Sequence, residues 1–478
     1  MRKKWFAIVL GVFIVFSLFP IYVFAAEEED KTGRVAPSPV EILYPTVNEE
    51  NMDSGWKWED ETDTLYITKN TEDYSTSNTA PWSSKSYLTK KIIIESDVTY
   101  IGDYAFYQFD GNLAEVDIQG QNVTIGEGAF RFCSELQKVS FESVTTIGKS
   151  AFSGCYALEE LNIQNEARTQ IGESAFQKSG LKKLTLKNCD IGAYAFAECS
   201  VSAQDKTGTL KEIALEKCTI GNSAFSRADF SFSPVLETVV LKNCPTVGAS
   251  AFAWNSALIS LTVENTEGQR TTFGDYAFMS CSNLKDLTLV NCELGEGLLQ
   301  YSGLENLTLK NCPKVSEAAF ANIKSLKTVS IVDCAVIEPY AFQFDTALES
   351  VTIQNCDEIE SSAFLGCSAL SNLSLEGVER IGDDAFADCK ALTAVSLDEV
   401  KEIGSGAFRN TGLTGEIIIP VSCEVIGGNA FSGCDNITGI TIPDTTKMGY
   451  SDIFAKFPLL IQRVNQIMEG LFQLNPVE

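Results

Sequence analysis

Fifteen cysteines and no histidine bound the chemistry open to this chain of 478 residues. Seven cysteines stand three residues after an Ala-Phe pair: Cys133, Cys155, Cys199, Cys281, Cys367, Cys389 and Cys434. Seven more follow a short alternating apolar segment, usually as Asn-Cys: Cys189, Cys218, Cys244, Cys292, Cys312, Cys334 and Cys356. Only Cys423 stands apart. No C-x-x-C pair arises, and without histidine no mixed zinc site can be completed, so no metal is expected. An odd number of thiols at equivalent repeat positions is what small buried residues look like, and free cysteine is among the most buried side chains. Free thiols are expected rather than a disulfide framework.

The missing histidine also removes the Ser-His and Cys-His pairs and the commonest general base near neutral pH. Strings such as "GKSAF" and "GASAF" put serine after glycine, but they belong to a recurring turn and lack a nucleophile elbow's flanking context. The adjacent carboxylates Asp383 and Asp384 fall at variable positions of the same turn, where other copies carry Asn-Ser or Ser-Gly. No catalytic residue and no cofactor is expected, and the chain reads as a non-enzyme.

Binding is the chemistry left, and its candidates lie on alternating segments. In "LKKLTLKNC", Leu181, Leu184 and Leu186 mark the buried side of a strand, so Thr185 and Lys187 face outward. The equivalent outward positions of the next copies give Ala214, Val240 and Thr262 in one column and Glu216, Lys242 and Glu264 in the next. Alternating charge on neighbouring strands offers cross-strand pairing. The same broad, polar, aromatic-poor face suits a macromolecule, most of all a protein. Thr185, Lys187, Glu216, Lys242, Glu264 and Arg270 are the candidate binding residues. Arg270 belongs to "NTEGQRTTF" (Asn265 to Phe273), one of three insertions together with Ser200 to Thr209 and Ser226 to Val235. Insertions become surface loops, often near a binding face.

The elements that hold these residues are read from repetition. Phe320, Phe342, Phe364, Phe386 and Phe408 stand 22 residues apart, and aligned phenylalanines extend from Phe106 to Phe431, with Leu298-Leu299 filling one place. That makes about fifteen copies of I-G-x-x-A-F-x-x-C-x-x-L-x-x-L-x-L. A period of this length means a solenoid, in which no unit buries its own apolar face and stability comes from stacking. The expected fold is an α/β solenoid: a right-handed superhelix with one long parallel sheet, and short helical turns carrying Ala-Phe on the opposite side.

This unit resembles the bacterial BspA-like leucine-rich repeat, from Ile92 to about Met448. "WKWEDETDTLYITKN" and "APWSSKSYLTKKIIIES" resemble the capping segment that often precedes such arrays. The resemblance implies an exported or surface protein that adheres to host matrix or other cell-surface proteins. A structural or assembly element of the cell envelope, or a carbohydrate-binding module, is the alternative.

The flanks complete the organisation. "MRKKWFAIVLGVFIVFSLFPIYVFA" has a basic head, an apolar middle and small residues before Ala26, which predicts a signal peptide over 1–25. An acidic, Pro-containing lead-in follows over 26–51, then a capping segment over 52–91 and the solenoid over 92–448. Helical spacing of Leu460, Val464, Ile467, Met468 and Leu471 predicts a C-terminal capping helix over 449–478. No later stretch is of membrane-spanning length, so after cleavage no integral membrane span is expected and the chain is secreted or held at the cell surface. With 64 acidic against 36 basic residues, net charge −28, the surface repels nucleic-acid phosphates.

Overall fold

The computed structural model describes residues 54–199, 210–226 and 236–449. The predicted signal peptide and lead-in, the insertion over 200–209, most of that over 226–235, and all but the first residue of the predicted C-terminal helix lie outside the described residues.

Each coil contributes two strands. The longer one carries the alternating leucines; in Lys183–Lys187 the burial alternates so that Leu184 and Leu186 point inward. It lies parallel to Glu160–Ile163 before it and Glu212–Glu216 after it, with Leu184 level with Leu161 and Ile213. A one-residue slip would turn every leucine outward, so the pattern fixes the register. The second strand is the two to four residues ending in the Ile before Gly, such as Cys189–Ile191, and it forms its own parallel ladder.

The single long sheet expected from the sequence is therefore two ladders. The leucine ladder is also divided. It pauses after Lys138–Phe141, after Ser260–Glu264, and again after Asn372–Glu376, where one bond from the Thr414 amide to the Thr393 carbonyl, 3.0 Å, bridges the irregular coil; the second ladder pauses once, after Cys292–Glu293.

The expected helical turns are absent: among the described residues the chain forms no α-helix, and one short 3-10 turn, Ser83–Lys85, is the sole helical element. The reason lies in the hydrogen bonds. In the first Ala-Phe turn the amides of Tyr104, Phe106 and Gln108 donate to the carbonyls of Glu127, Ala129 and Arg131 in the next coil. Only the alternate amides bond locally, Ala105 to Gly102 and Tyr107 to Tyr104. An α-helix would turn every amide back on its own coil and leave these inter-coil bonds unmade. The cost appears as left-handed backbone at non-glycine corners, such as Tyr104 at φ 53° and Gln108 at φ 58°.

Inside, phenylalanine rings stack face to face. Phe106 through Phe278 form one run with centroids 4.9–5.2 Å apart, and Phe320 through Phe431 a second at 4.9–5.5 Å. Leu299 occupies the intervening Phe position and divides the column. At the upstream end the antiparallel hairpin Trp56–Glu59 and Thr64–Ile67 lays its second strand on Lys91–Ile94. There the Trp82 ring stacks on Phe106 at 5.5 Å while its Nε1–H donates to the Ala105 carbonyl, 2.9 Å.

All fifteen cysteines are buried and free. The Phe-plus-three thiols share one role. Cys133, Cys155, Cys199 and Cys367 donate to the carbonyls of Phe106, Phe130, Phe176 and Phe342 in the preceding coil, at 3.0–3.3 Å. Asn255 does the same with its amide, 3.0 Å from the Phe225 carbonyl. A small side chain with a weak donor fits this place better than a pure hydrocarbon. Cys423 does not stand apart after all. Its thiol meets the Val425 carbonyl as those of Cys334 and Cys356 meet Val336 and Glu358, in the column that follows the strand.

Candidate recognition surface

The outward columns inferred from the repeats are physical rows. Thr185 is level with Ala214, Ala214 with Val240, and Val240 with Thr262. One position on, Lys187 is level with Glu216, Glu216 with Lys242, and Lys242 with Glu264. Five of the six candidate residues thus share one face across four consecutive strands, and the charged four form its downstream margin.

The charges do not neutralise each other as their alternation suggests. Among the described residues, the one ion pair formed by these four is Lys187 Nζ to Glu166, at 3.6 Å, and Glu166 is 93% exposed. Ion pairs that do form across coils line the upstream edge, such as Lys211 to Glu237 at 2.8 Å and Lys327 to Glu305 at 2.7 Å, and the second ladder, such as Lys314 to Glu338 at 2.7 Å and Arg380 to Glu358 at 2.9 Å. Exposed pairs of that kind contribute about 0–1 kcal/mol each.

Arg270 does not join this group. Its guanidinium reaches two strands forward and donates Nη1–H to the Asn311 carbonyl, 3.3 Å. An arginine not singled out from the sequence makes the equivalent reach: Arg168 donates Nε–H to Asp190, 2.6 Å, and Nη1–H to the Lys217 carbonyl, 3.4 Å. The bonds from Arg168 hold the Asp190 carboxyl down at about 2. A signal was present. "NEARTQ" and "NTEGQRT" both read Asn, a variable link, then Arg-Thr, and in both the threonine replaces the buried cysteine of its column.

The two loops flank the downstream corners of the intervening coils, where the chain turns at Asn188, Lys217 and Asn243, all with φ of 50–55°. Between them lies an open groove of about 370 Å³ lined by Arg168, Lys217, Asn243, Pro245, Thr266 and Gln269. Of the three insertions, those over 200–209 and 226–235 stand in the chain before a leucine strand, whereas Asn265 to Phe273 follows one and forms the far wall of this groove. No group of three or more acidic or thiol side chains placed to hold a metal ion occurs among the described residues.

Known proteins share this repeat. No curated protein sequence matches the chain. Among solved structures, a leucine-rich repeat protein from Bacteroides ovatus is 21% identical, covering 85% of this chain and 91% of its own, with a TM-score of 0.45. A leucine rich cell surface protein from Faecalibacterium prausnitzii is 18% identical, covering 83% and 93%, with a TM-score of 0.27. A pneumococcal vaccine antigen is 16% identical, covering 87% and 94%, with a TM-score of 0.29. The family description "BspA type Leucine rich repeat region (6 copies)" matches residues 84–203, 204–327, 292–414 and 335–460. With that match running through nearly the whole array of stacked coils, the chain belongs to the BspA type leucine-rich repeat family.

Proposed function

We propose that this protein is a secreted or cell-surface recognition protein that binds another protein without covalent chemistry, through the outward strand face and the downstream corners. The observation that carries this reading is the row Lys187, Glu216, Lys242, Glu264: four charges held in register on parallel strands, with Glu216, Lys242 and Glu264 in no ion pair among the described residues. A rigid row of alternating, unneutralised charge favours a partner of complementary pattern and disfavours others. Family membership supports protein recognition, and the basic head and apolar run over 1–25 support export. No helix among the described residues is long and apolar enough to cross a membrane. The winding is taken as right-handed, the sense that parallel strands joined by crossovers adopt.

The test is saturable binding of the purified chain from Ala26 onward to immobilised matrix glycoproteins, serum proteins and the producer's own envelope proteins. Lys187→Glu with Lys242→Glu is the control. Binding that the double variant weakens supports the reading. Binding of a protein ligand untouched by the variant removes the row from the site, and absence of any protein ligand overturns the reading.

A further inference from the structure

We propose that the groove between Arg168 and the Thr266–Gln269 loop is a receptor for a single carboxylate, carried by an acidic side chain or the C-terminus of an extended segment of the partner protein. This rests on the protein-recognition reading above and names the partner's chemistry.

The groove presents mainly donors. Asn243 has its side-chain oxygen occupied by the Thr266 amide, 2.8 Å, so what it still offers is its NH2 group. Arg168 is neutralised by Asp190 and serves as a wall. Its contact with the Lys217 carbonyl removes that acceptor from the groove. Lys217 remains, an ammonium with three donors and no acceptor. It is exposed, and no acid among the described residues lies within ion-pair distance of it. In a molecule with 64 acids and 36 bases, such a groove is the exception.

The backbone points to the same residue. The corner after the strand is held at positive φ by Asn188, Asn243, Asn291 and Asn311, at 50–56°, and asparagine tolerates that conformation. Lysine stands there once, Lys217 at 54°, against its conformational preference.

The surroundings also set the ligand's charge. Glu216 precedes Lys217 and Glu267 lies in the far loop, so the groove sets one unpaired ammonium beside two carboxylates, a local charge that matches one carboxylate better than a doubly charged phosphate or sulfate. The groove, about 370 Å³ and open, admits one or two residues of an extended peptide.

The test uses the full chain and two dye-labelled acidic peptides with one carboxylate each, a free C-terminus in one and an internal Glu of an amidated peptide in the other, with a carboxylate-free amide counterpart, inorganic phosphate and inorganic sulfate. Lys217→Asn is the informative variant, because asparagine is native to the neighbouring corners and the fold is expected to hold. At least one acidic peptide is expected to bind saturably, the tighter of the two naming the source of the carboxylate, with the amide counterpart at least tenfold weaker, and Lys217→Asn to lose at least tenfold while Lys217→Arg retains binding. Equal binding of the acidic and carboxylate-free peptides, an unchanged affinity in Lys217→Asn, or tighter binding of phosphate or sulfate overturns the proposal. If protein ligands on the strand face respond to Lys242→Glu while the acidic peptides do not bind, the carboxylate receptor fails and protein recognition stands. If neither binds, both fail.

Discussion

Asp345 offers the sharpest check on how the coils are held together. It stands at the Phe-plus-three place, fully buried, where other coils use a thiol or amide to donate to the preceding Phe carbonyl. Its Oδ1 accepts the Ile323 amide at 2.6 Å, and its Oδ2 has no partner. Burial pushes this carboxyl well above the usual carboxylate range, with the Ile323 amide and the Lys324 charge opposing the rise. The other groups facing it are Cys367 of the next coil and Lys324, whose ammonium is turned to the Phe344 carbonyl, 2.6 Å.

The replacement Asp345→Asn keeps the Oδ1 acceptor and adds the donor that Asn255 uses in its own coil, at 3.0 Å to Phe225 and 2.9 Å to Phe252. A buried polar atom without a partner costs about 1–3 kcal/mol, so the variant is expected to be more stable by that order near neutral pH. The sign with pH follows from linkage. The folded carboxyl holds its proton to higher pH than the unfolded one, whose value is about 3.9. Wild-type stability is therefore full below about pH 4 and falls as pH rises through the folded value, whereas asparagine has no such fall. The gap between the proteins should be small at about pH 4 and largest at about pH 8. Because long repeat arrays need not unfold in one step, hydrogen exchange of the amides from Phe320 to Cys367 is the assay, with urea unfolding beside it. A gap that is the same at both pH values, or a less stable variant at high pH, would refute the hydrogen-bond account of this column.

Other outcomes test other parts of the molecule. Few thiols should react in native buffer and about fifteen after denaturation under anaerobic conditions, since burial, with the Asp388 charge adding to it at Cys389, raises Cys281 and Cys389 to about 12; a low denatured count would mean disulfides. Gly297→Ala should lower stability by about 1–3 kcal/mol, because the new Cβ would collide with the Tyr276 ring at a φ of 57°; unchanged hydrogen exchange in that coil would remove the ring from its place over Gly297. Arg168→Ala should return the Asp190 carboxyl from about 2 toward 3.9, as read by carboxyl-carbon NMR titration. The stability this pair adds is present above about pH 4 and lost as pH falls toward 2, and at 42% and 29% exposure it should stay below about 1 kcal/mol. Phe342→Ala should cost about 3–5 kcal/mol, with the loss of protection concentrated in the coils of Phe320 and Phe364; an even loss along the array would contradict nearest-neighbour coupling.

What the sequence discloses follows from what repeats in it. Period-2 leucines give the face of each strand, and equal spacing gives the register, so the rows of Thr185 and Lys187 follow from aligning the repeats. The second ladder is hidden because segments such as Thr219–Ile220 are two residues long, too short for any alternation to register. The turns read as helical because Ala-Phe with a leading glycine fits a helix start as well as it fits a string of turns. The distinction rests on where alternate amides go, which is a property of the neighbouring coil. Nearness in sequence groups Arg270 with the strand face, while its side chain reaches Asn311, 41 residues on.

The proposed placement of recognition on the downstream corners has a structural basis. The interior columns are filled by Phe, Leu and Cys, and the Ala-Phe turns spend their alternate amides on the next coil, so substitution in either breaks stacking on both sides. At the corner after the strand the backbone amide is also committed, Asn188 to Glu216 and Lys217 to Lys242, but the side chains turn out of the stack: those of Asn188 and Asn243 bond the loops beside them, and that of Lys217 forms no ion pair among the described residues. The corner accepts any residue that tolerates positive φ, as Asn311, Asp333 and Gly377 show. It is the position where a rigid array can change what it presents without changing how it stacks. Lys217, with long loops on either side of it, is where this chain departs furthest from the asparagine of its neighbours.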